Sequence, residues 1–475
     1  LENYELVKRG ELIAGMEIAT LFFIRCAELY LKNGGIISFV MPRSIFSAEQ
    51  HSGFRTSTYK KVNLKLIKLL DLEKVKPLFK VPTCVIIAEK NNLSAYPINA
   101  EILEGNLLKK NEKYENAIRS LKIKKVDLFL SRIGERDFFS YEKIEFEGRS
   151  PYNDKFFVGA TLYPRPFWFI KVEESKLGFS YEKPSIKTRE GIIKPPWNRI
   201  SLEGNVEKEF LYATILGLDL FPFSYKTSLV ILPVKQSHNS FSLVKKEEAI
   251  KKYPLLAKWL EKVEKEWKRE RGEKILKMDI YKRLDYARGL TKQNPNRNVK
   301  VIYSTHGKNL VAAVVDINEI KKKNEYANNF IADYKTLLFE PQLEEEAYFL
   351  VSILNSKILN ELIKPMQPKG LFGERSIIKR VWEFPIPQFN KNNKLHIRLA
   401  ELGKIASKKA QEKLEEILEK KYKHLEYLKP QHVANIRREI REYIKDELEK
   451  IDEIVQKILK ESKINDNQKT LEDYD

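Results

Sequence analysis

Ile36-Ile37-Ser38-Phe39-Val40-Met41-Pro42, at the centre of residues 16–90, decides how the fold is read. Upstream of it, residues 16–32 return Ile18, Leu21, Phe22, Cys26 and Leu29 at three- and four-residue steps, which predicts a helix. Asn33-Gly34-Gly35 then supplies a left-handed cap and a turn. The run itself is short and continuously apolar, the pattern of a strand buried on both faces of a parallel sheet. Pro42-Arg43-Ser44 ends it, and a strand pair is expected over 66–72 and 83–89. A domain of this kind carries its ligand-binding turns at the carboxyl ends of its first strands. The expectation is therefore an α/β domain whose sequence here starts too late to contain them.

Composition bounds the rest. With 475 residues, two or three domains are expected, because single cores stop growing well below that length. Lys and Arg exceed Asp and Glu by 86 − 66 = 20, an excess that points to a polyanionic partner, nucleic acid before an acidic membrane face. Cys26 and Cys84 both sit in apolar runs and read as small core residues. Two cysteines make neither a disulfide framework nor a zinc site, which fits a reducing cytoplasm. The sequence has no apolar run of the ~18–20 residues a bilayer span needs, and its polar start, Leu1-Glu2-Asn3-Tyr4-Glu5, is unlike a signal peptide.

Along the chain, residues 1–95 form a first unit, closed by Asn91-Asn92-Leu93-Ser94. An alternating run over 121–130 is a candidate strand, and residues 150–240 read as a β-rich module with long loops. A charged helix is expected over 245–274, strands over 299–304 and 310–316, and a helix over 344–364. Residues 395–428 and 432–460 carry apolar stripes separated by Lys429-Pro430, the pattern of an antiparallel helical hairpin.

Several motifs invite a chemical reading and fail it. Lys194-Pro195-Pro196-Trp197 begins with a donor-only ammonium, which cannot accept a hydrogen bond from a substrate amine. Asp316-Ile317-Asn318-Glu319-Ile320-Lys321 lacks the upstream metal-binding Asp of a nuclease and reads as a solvated strand end. Gly370-Leu371-Phe372-Gly373 follows no strand, and the six His residues show no ligand spacing.

Taken together, Gly34-Gly35, Phe39-Val40-Met41-Pro42, Phe46, Phe54-Arg55, Leu70-Asp71 and Pro77-Leu78-Phe79-Lys80-Val81-Pro82-Thr83-Cys84-Val85 form a more specific string. It resembles the second half of the catalytic domain of gamma-class adenine-specific DNA methyltransferases, including the type IIG restriction–modification enzymes and related defence methylases. The resemblance implies the C-terminal half of a Rossmann-like sheet over 1–95, with S-adenosylmethionine as cofactor of the complete enzyme. It implies that Phe79 stacks on a flipped adenine, since a base must leave the duplex before its exocyclic amine can react. A core or rim Phe between two strands is the alternative reading of that residue. The Gly-x-Gly motif and the Asn-Pro-Pro-aromatic loop of the family are missing, so no catalytic residue is assigned.

A second set of words resembles the region downstream of the catalytic domain in the same family. These are Lys194-Pro195-Pro196-Trp197, Gly217-Leu218-Asp219-Leu220-Phe221-Pro222-Phe223, Arg283-Leu284-Asp285-Tyr286-Ala287-Arg288-Gly289-Leu290 and Gly370-Leu371-Phe372-Gly373-Glu374-Arg375. The resemblance implies a mixed α/β target-recognition domain over 96–394, with 395–475 as a helical hairpin and tail. A reader of DNA needs cations for phosphates and planar donors for base edges. The candidates are Arg189, Lys194 and Arg199; Arg283, Arg288 and Lys292; and Arg375, Lys379 and Arg380. For each, a solvated surface cation is the alternative. The expected partners are double-stranded DNA and an N-terminal methyltransferase half or partner chain, with no membrane. The rival expectation is a non-catalytic specificity subunit that docks separate methyltransferase or nuclease chains. A third is a degenerate remnant with an unpaired sheet edge.

Overall fold

The computed structural model describes residues 4, 18–90, 92–174, 180–191, 195–271, 278–367, 369–370, 373–374, 378–425 and 427–472, with 369–370, 373–374 and 462–472 as backbone only. The expected helix is α1 (Ala19–Tyr30), which leads through Gly34, at a φ of +75° open to glycine, into β1 (Ile36–Pro42). Phe23 of α1 meets the rings of Phe39 and Phe54 edge-on at 5.3 and 5.7 Å. Lys90 Nζ donates to the carbonyls of Glu28 and Leu31 at 3.0 and 2.8 Å, satisfying groups that the helix end leaves open.

The reading of β1 as a strand buried on both faces is corrected. Its burial alternates: Ile37 and Met41 are buried, whereas Ile36 and Val40 are 62% and 53% exposed. It also pairs antiparallel, not parallel, and among the described residues only with β3 (Thr83–Lys90). A continuous apolar run signals two covered faces only where a layer lies on each, and α1 covers one.

The sheet continues through α2 (Ser52–Arg55), β2 (Leu64–Lys76), β4 (Ile98–Asn106), α3 (Tyr114–Ser120), β5 (Lys122–Ile133), β6 (Arg136–Ser140) and β7 (Glu145–Phe146). Its order is β1-β3-β2-β4-β5-β6, with β7 beside β5. Strand β3 runs antiparallel to both neighbours, so the expected hairpin of two strands is present, and β2 pairs in parallel with β4. No break in this sheet falls at residue 95. Around Asn92-Leu93-Ser94 the chain is a loop inside the sheet, tied to β2 by Ser94 Oγ, which accepts from Leu66 N at 2.9 Å.

The chain folds as two compact units, one of Leu1–Asn153, Glu361–Pro387 and Leu459–Asp475, the other of Asp154–Asn360 and Gln388–Ile458. The second unit begins with β8 (Phe157–Val158), α4 (Arg165–Trp168), β9 (Phe169–Val172), β10 (Ser185–Thr188) and β11 (Glu203–Asn205). Then come β12 (Leu211–Thr214), β13 (Leu220–Phe221), β14 (Ser224–Tyr225), β15 (Ser228–Ile231), β16 (Val234–Ser237) and β17 (Ser240–Leu243). The charged helix expected over 245–274 is split in two, α5 (Lys246–Lys252) and α6 (Pro254–Glu270), because Pro254 has no N–H to continue the first and is well placed to start the second. After them come α7 (Ile280–Leu284), β18 (Val299–Ser304), β19 (Ala312–Asp316), α8 (Ile317–Lys323), β20 (Thr336–Phe339), α9 (Glu344–Asn355) and α10 (Lys357–Ile363). The terminal helices are α11 (Lys394–Ile417), α12 (Pro430–Tyr443) and α13 (Lys445–Glu472).

Two sheets, β11-β10-β9-β15-β12 and β19-β18-β20-β8, contribute to one core with Trp168, Phe210, Trp259 and Ile302. Helix α11 packs on α9 as well as on α12: Gly403 has no room for a side chain, since a Cβ there would lie 2.3 Å from Ser352 Oγ. Asp316 is the N-cap of α8, accepting from Asn318 N and Glu319 N at the end of β19. Among the described residues no helix is long and apolar enough to cross a membrane.

Candidate nucleic-acid interface

Three stretches far apart in sequence are laced together in the second unit. Tyr334 N donates to Ala160 O at 2.8 Å, Ala160 N to Ala332 O at 2.7 Å, and Thr161 N to Leu284 O at 3.2 Å. Gln293, fully buried, donates to the carbonyls of Gly289 and Ala332 at 2.8 and 3.2 Å and accepts from Ala332 N at 2.8 Å. The backbones approach so closely that a Cβ on Gly289 would sit 2.4 Å from Gly159 O.

This frame carries Arg283, Arg288, Lys292 and Lys335. The Arg283 guanidinium lies 6.0 Å from the Tyr163 ring centre, Lys292 Nζ 4.7 Å from that of Phe157, and Lys335 Nζ 4.7 Å from that of Tyr334. Arg288 is exposed on the turn after α7. Among the described residues none of the four forms a salt bridge. Cations that keep their charge for a partner, set against aromatic faces, are what phosphates and bases require.

Beneath the frame lies a buried polar seam. Asp333 accepts from Lys335 N at 3.0 Å through one oxygen, while the other has no hydrogen-bond partner. Burial raises its carboxyl to about 6, against the pull of Arg165. Asp219 is likewise buried and raised, opposed by Arg189, Lys226 and Arg165. One guanidinium nitrogen of Arg165, Nη1, is also buried without a partner.

The remaining sequence candidates are placed differently. Arg189 turns inward, its Nη1 donating to Ser228 Oγ at 2.5 Å, and its charge acts on Asp219. Arg199 is exposed on a turn anchored by Trp197, whose ring stacks on Trp267 at 5.7 Å. Lys194 and Arg375 lie outside the described residues. Lys379 and Arg380 belong to the first unit, where burial and then Arg136 push Arg380 down to about 10. Tyr163, Tyr334, Lys335 and Arg165 escaped the sequence reading because they come from separate stretches with no shared spacing.

In the first unit, Phe79 stands on the turn between β2 and β3 and is 42% exposed, a rim position and not a core one. At the same end of the sheet Arg43, the residue after β1, donates through Nε to Asp71 Oδ2 at 3.0 Å and lies 3.0 Å from Glu73 Oε2. Tyr141 also donates to Asp71 Oδ2, at 2.5 Å, and the Arg43 guanidinium covers the Phe46 ring at 4.2 Å. Both carboxylates are thus engaged. Among the described residues no group of His, Cys, Asp and Glu could hold a metal ion. Cys84 is buried, and burial pushes its thiol up, as suits a core residue.

No protein-family model matches the chain, and no curated protein matches it. Among solved structures, the type IIL restriction–modification enzyme MmeI, determined in complex with DNA, aligns with 94% of this chain and 50% of its own at 12% identity and a TM-score of 0.52. The type IIG restriction endonuclease BpuSI aligns with 94% of this chain and 49% of its own at 12% identity, with a TM-score of 0.26. The chain therefore spans about half the length of each. At that identity the likeness to the type IIL enzyme is one of fold: a mixed α/β architecture of sheets and helices shared at a distance with a restriction–modification enzyme.

Proposed function

We propose that this chain is the DNA-binding and target-recognition portion of a site-specific adenine DNA methyltransferase of a restriction–modification or phage-defence system. The observation that carries the proposal is the laced surface of Arg283, Arg288, Lys292 and Lys335, none of which forms a salt bridge among the described residues. The fold it shares with an enzyme determined in complex with DNA supports the same reading. On the methyltransferase side the support is the strand order β1-β3-β2, with β3 antiparallel between its two neighbours, and Phe79 exposed on the adjoining turn.

Among the described residues, the carboxylates at the Phe79 end of the sheet do not offer S-adenosylmethionine a free acceptor. A methyl donor's ribose calls for a free carboxylate at a strand end, and Asp71 and Glu73 are both held by Arg43. The donor's site belongs to an N-terminal half or a partner chain. Strand β1 pairs on one side only among the described residues, and its exposed Ile36 and Val40 offer apolar ground for such strands to pack on.

Phe79→Ala in a complex reconstituted with the donor-binding half is the test. Methylation should fall by about 5- to 150-fold, the worth of one lost base–aromatic stack of about 1–3 kcal/mol, with duplex affinity kept. Unchanged methylation would assign the first unit to docking alone, as in a specificity subunit. Methylation by the purified chain with S-adenosylmethionine and no partner would overturn the division of labour.

A further inference from the structure

The turn after α7 is built to a shape its own residues resist. Ala287 has φ 52° and ψ 26°, and Arg288 has φ 59°, two consecutive side-chain-bearing residues in the left-handed region. Such conformations are disfavoured for residues other than glycine and persist only where the surroundings impose them. Here Asp285 imposes them. Its Oδ1 accepts from Leu290 N and Thr291 N at 3.0 and 2.9 Å, and its Oδ2 accepts from Thr291 Oγ1 at 2.8 Å. Gly289, pressed against Gly159, and the buried amide of Gln293 fix the base of the same turn.

The outcome is an outward-facing tip of Tyr286, Ala287 and Arg288, all exposed, with Tyr286 at 57%. Arg283, Lys292 and Lys335 each rest near an aromatic ring, whereas the Arg288 side chain makes no hydrogen bond or ion pair among the described residues. A two-pronged contact to a base edge needs a guanidinium on a backbone that does not move.

Resting on the DNA-recognition reading above, we infer that Arg288 specifies a base pair by contacting a base edge. Asp285 is the positioning residue that presents it, and Arg283, Lys292 and Lys335 hold phosphates. Strain kept at a tip whose three residues are all exposed, by a part-buried clamp, is hard to explain as packing.

The test is selection of bound duplexes by the full chain from a randomised double-stranded DNA pool, followed by affinity and salt-dependence measurements on the selected sequence. The unmodified chain should enrich a defined sequence. Arg288→Ala should lose preference at one base pair by about 5- to 150-fold while keeping the rest of the sequence and the salt slope. Lys292→Ala should weaken all duplexes alike and reduce the slope of log affinity against log salt by about 1. Asp285→Ala should reproduce the Arg288→Ala loss at the same position. Asp285→Asn keeps an acceptor oxygen for Leu290 N and Thr291 N and should retain the preference, which a role for the carboxylate charge would not allow. If Arg288→Ala or Asp285→Ala selects the same sequence as the parent with equal preference, the inference fails while the DNA-binding reading stands. If the unmodified chain enriches nothing and binds no duplex, both fail.

Discussion

Asp333→Asn should remove a pH dependence from the stability of the second unit. Asp333 is wholly buried beneath Tyr334 and Lys335, and one of its oxygens has no hydrogen-bond partner. Burial raises its carboxyl from an ordinary 3.8 to about 6, with Arg165 acting in the opposite direction. The folded state therefore holds this proton more tightly than the unfolded chain does. Its contribution is fully present below pH 3.8 and is lost as the pH rises through about 6. The difference of about two pKa units, at roughly 1.4 kcal/mol each, makes ionising Asp333 at neutral pH cost about 3 kcal/mol. Asparagine does not ionise. Placing an amide beside Arg165 adds an offset that is constant with pH, so the expected signal is a change in the difference between the two proteins. Equilibrium urea unfolding followed by tryptophan fluorescence should show the variant gaining about 3 kcal/mol on the parent between about pH 3.5 and 7.5. Two curves that stay parallel within about 0.5 kcal/mol over that range would refute the burial argument.

Asp137→Ala should destabilise the first unit by about 3–5 kcal/mol in the same assay, because it strands a buried guanidinium. Arg55 is 1% exposed and donates to Asp137 at 2.6 Å and to the carbonyls of Ile45 and Ala48 at 2.8 and 2.9 Å. Gly403→Ala should cost about 1–3 kcal/mol by overpacking, and Ser352→Ala should not restore it, since the new Cβ would also lie 2.5 Å from the backbone oxygen of Tyr348. With the three phosphate contacts proposed for Arg283, Lys292 and Lys335, duplex affinity should fall with salt at a log–log slope of about −3, read by titration at several ionic strengths.

Much of the local structure was legible from periodicity. The helix before Gly34, the strand pair around Phe79, the strand over 122–133 and the two terminal stripes all follow from spacing that short-range geometry dictates. What escaped depends on partners that no local pattern names. The run Ile36 to Pro42 is as apolar on its open face as on its covered one, so it could not reveal that Ile36 and Val40 are exposed. The joining of β4 to β2 across a polar loop is a parallel pairing, which leaves no hairpin signature. At the candidate interface Arg283, Arg288 and Lys292 could be found in one sequence word. Tyr163, Tyr334 and Lys335 reach them through backbone hydrogen bonds and the Gln293 amide, which tie together 157–164, 284–293 and 332–336.

The excess of 20 positive charges signals a polyanion but does not say where it binds, because many cations are committed inside the fold. Arg43 is held by Asp71 and Glu73, and the buried Lys300 by Glu340. Arg437 donates to the carbonyls of Gly217 and Leu220, and Arg441 to those of Leu310 and Asn355, filling the role of a structural cap. A cation already neutralised by a carboxylate gains little from a phosphate, since it must give up one anion for another. A cation without such a partner gains the full contact and displaces counter-ions from the duplex. Of the positions that sequence alone proposes, Arg189 turns inward toward Ser228 and Asp219, and Arg380 is half-buried beside Arg136. Arg283, Arg288 and Lys292 form no salt bridge among the described residues and share one hydrogen-bonded frame, where Lys335 joins them. On the proposed reading, their lack of salt bridges among the described residues, more than their number, is the reason to look for DNA on this face of the second unit.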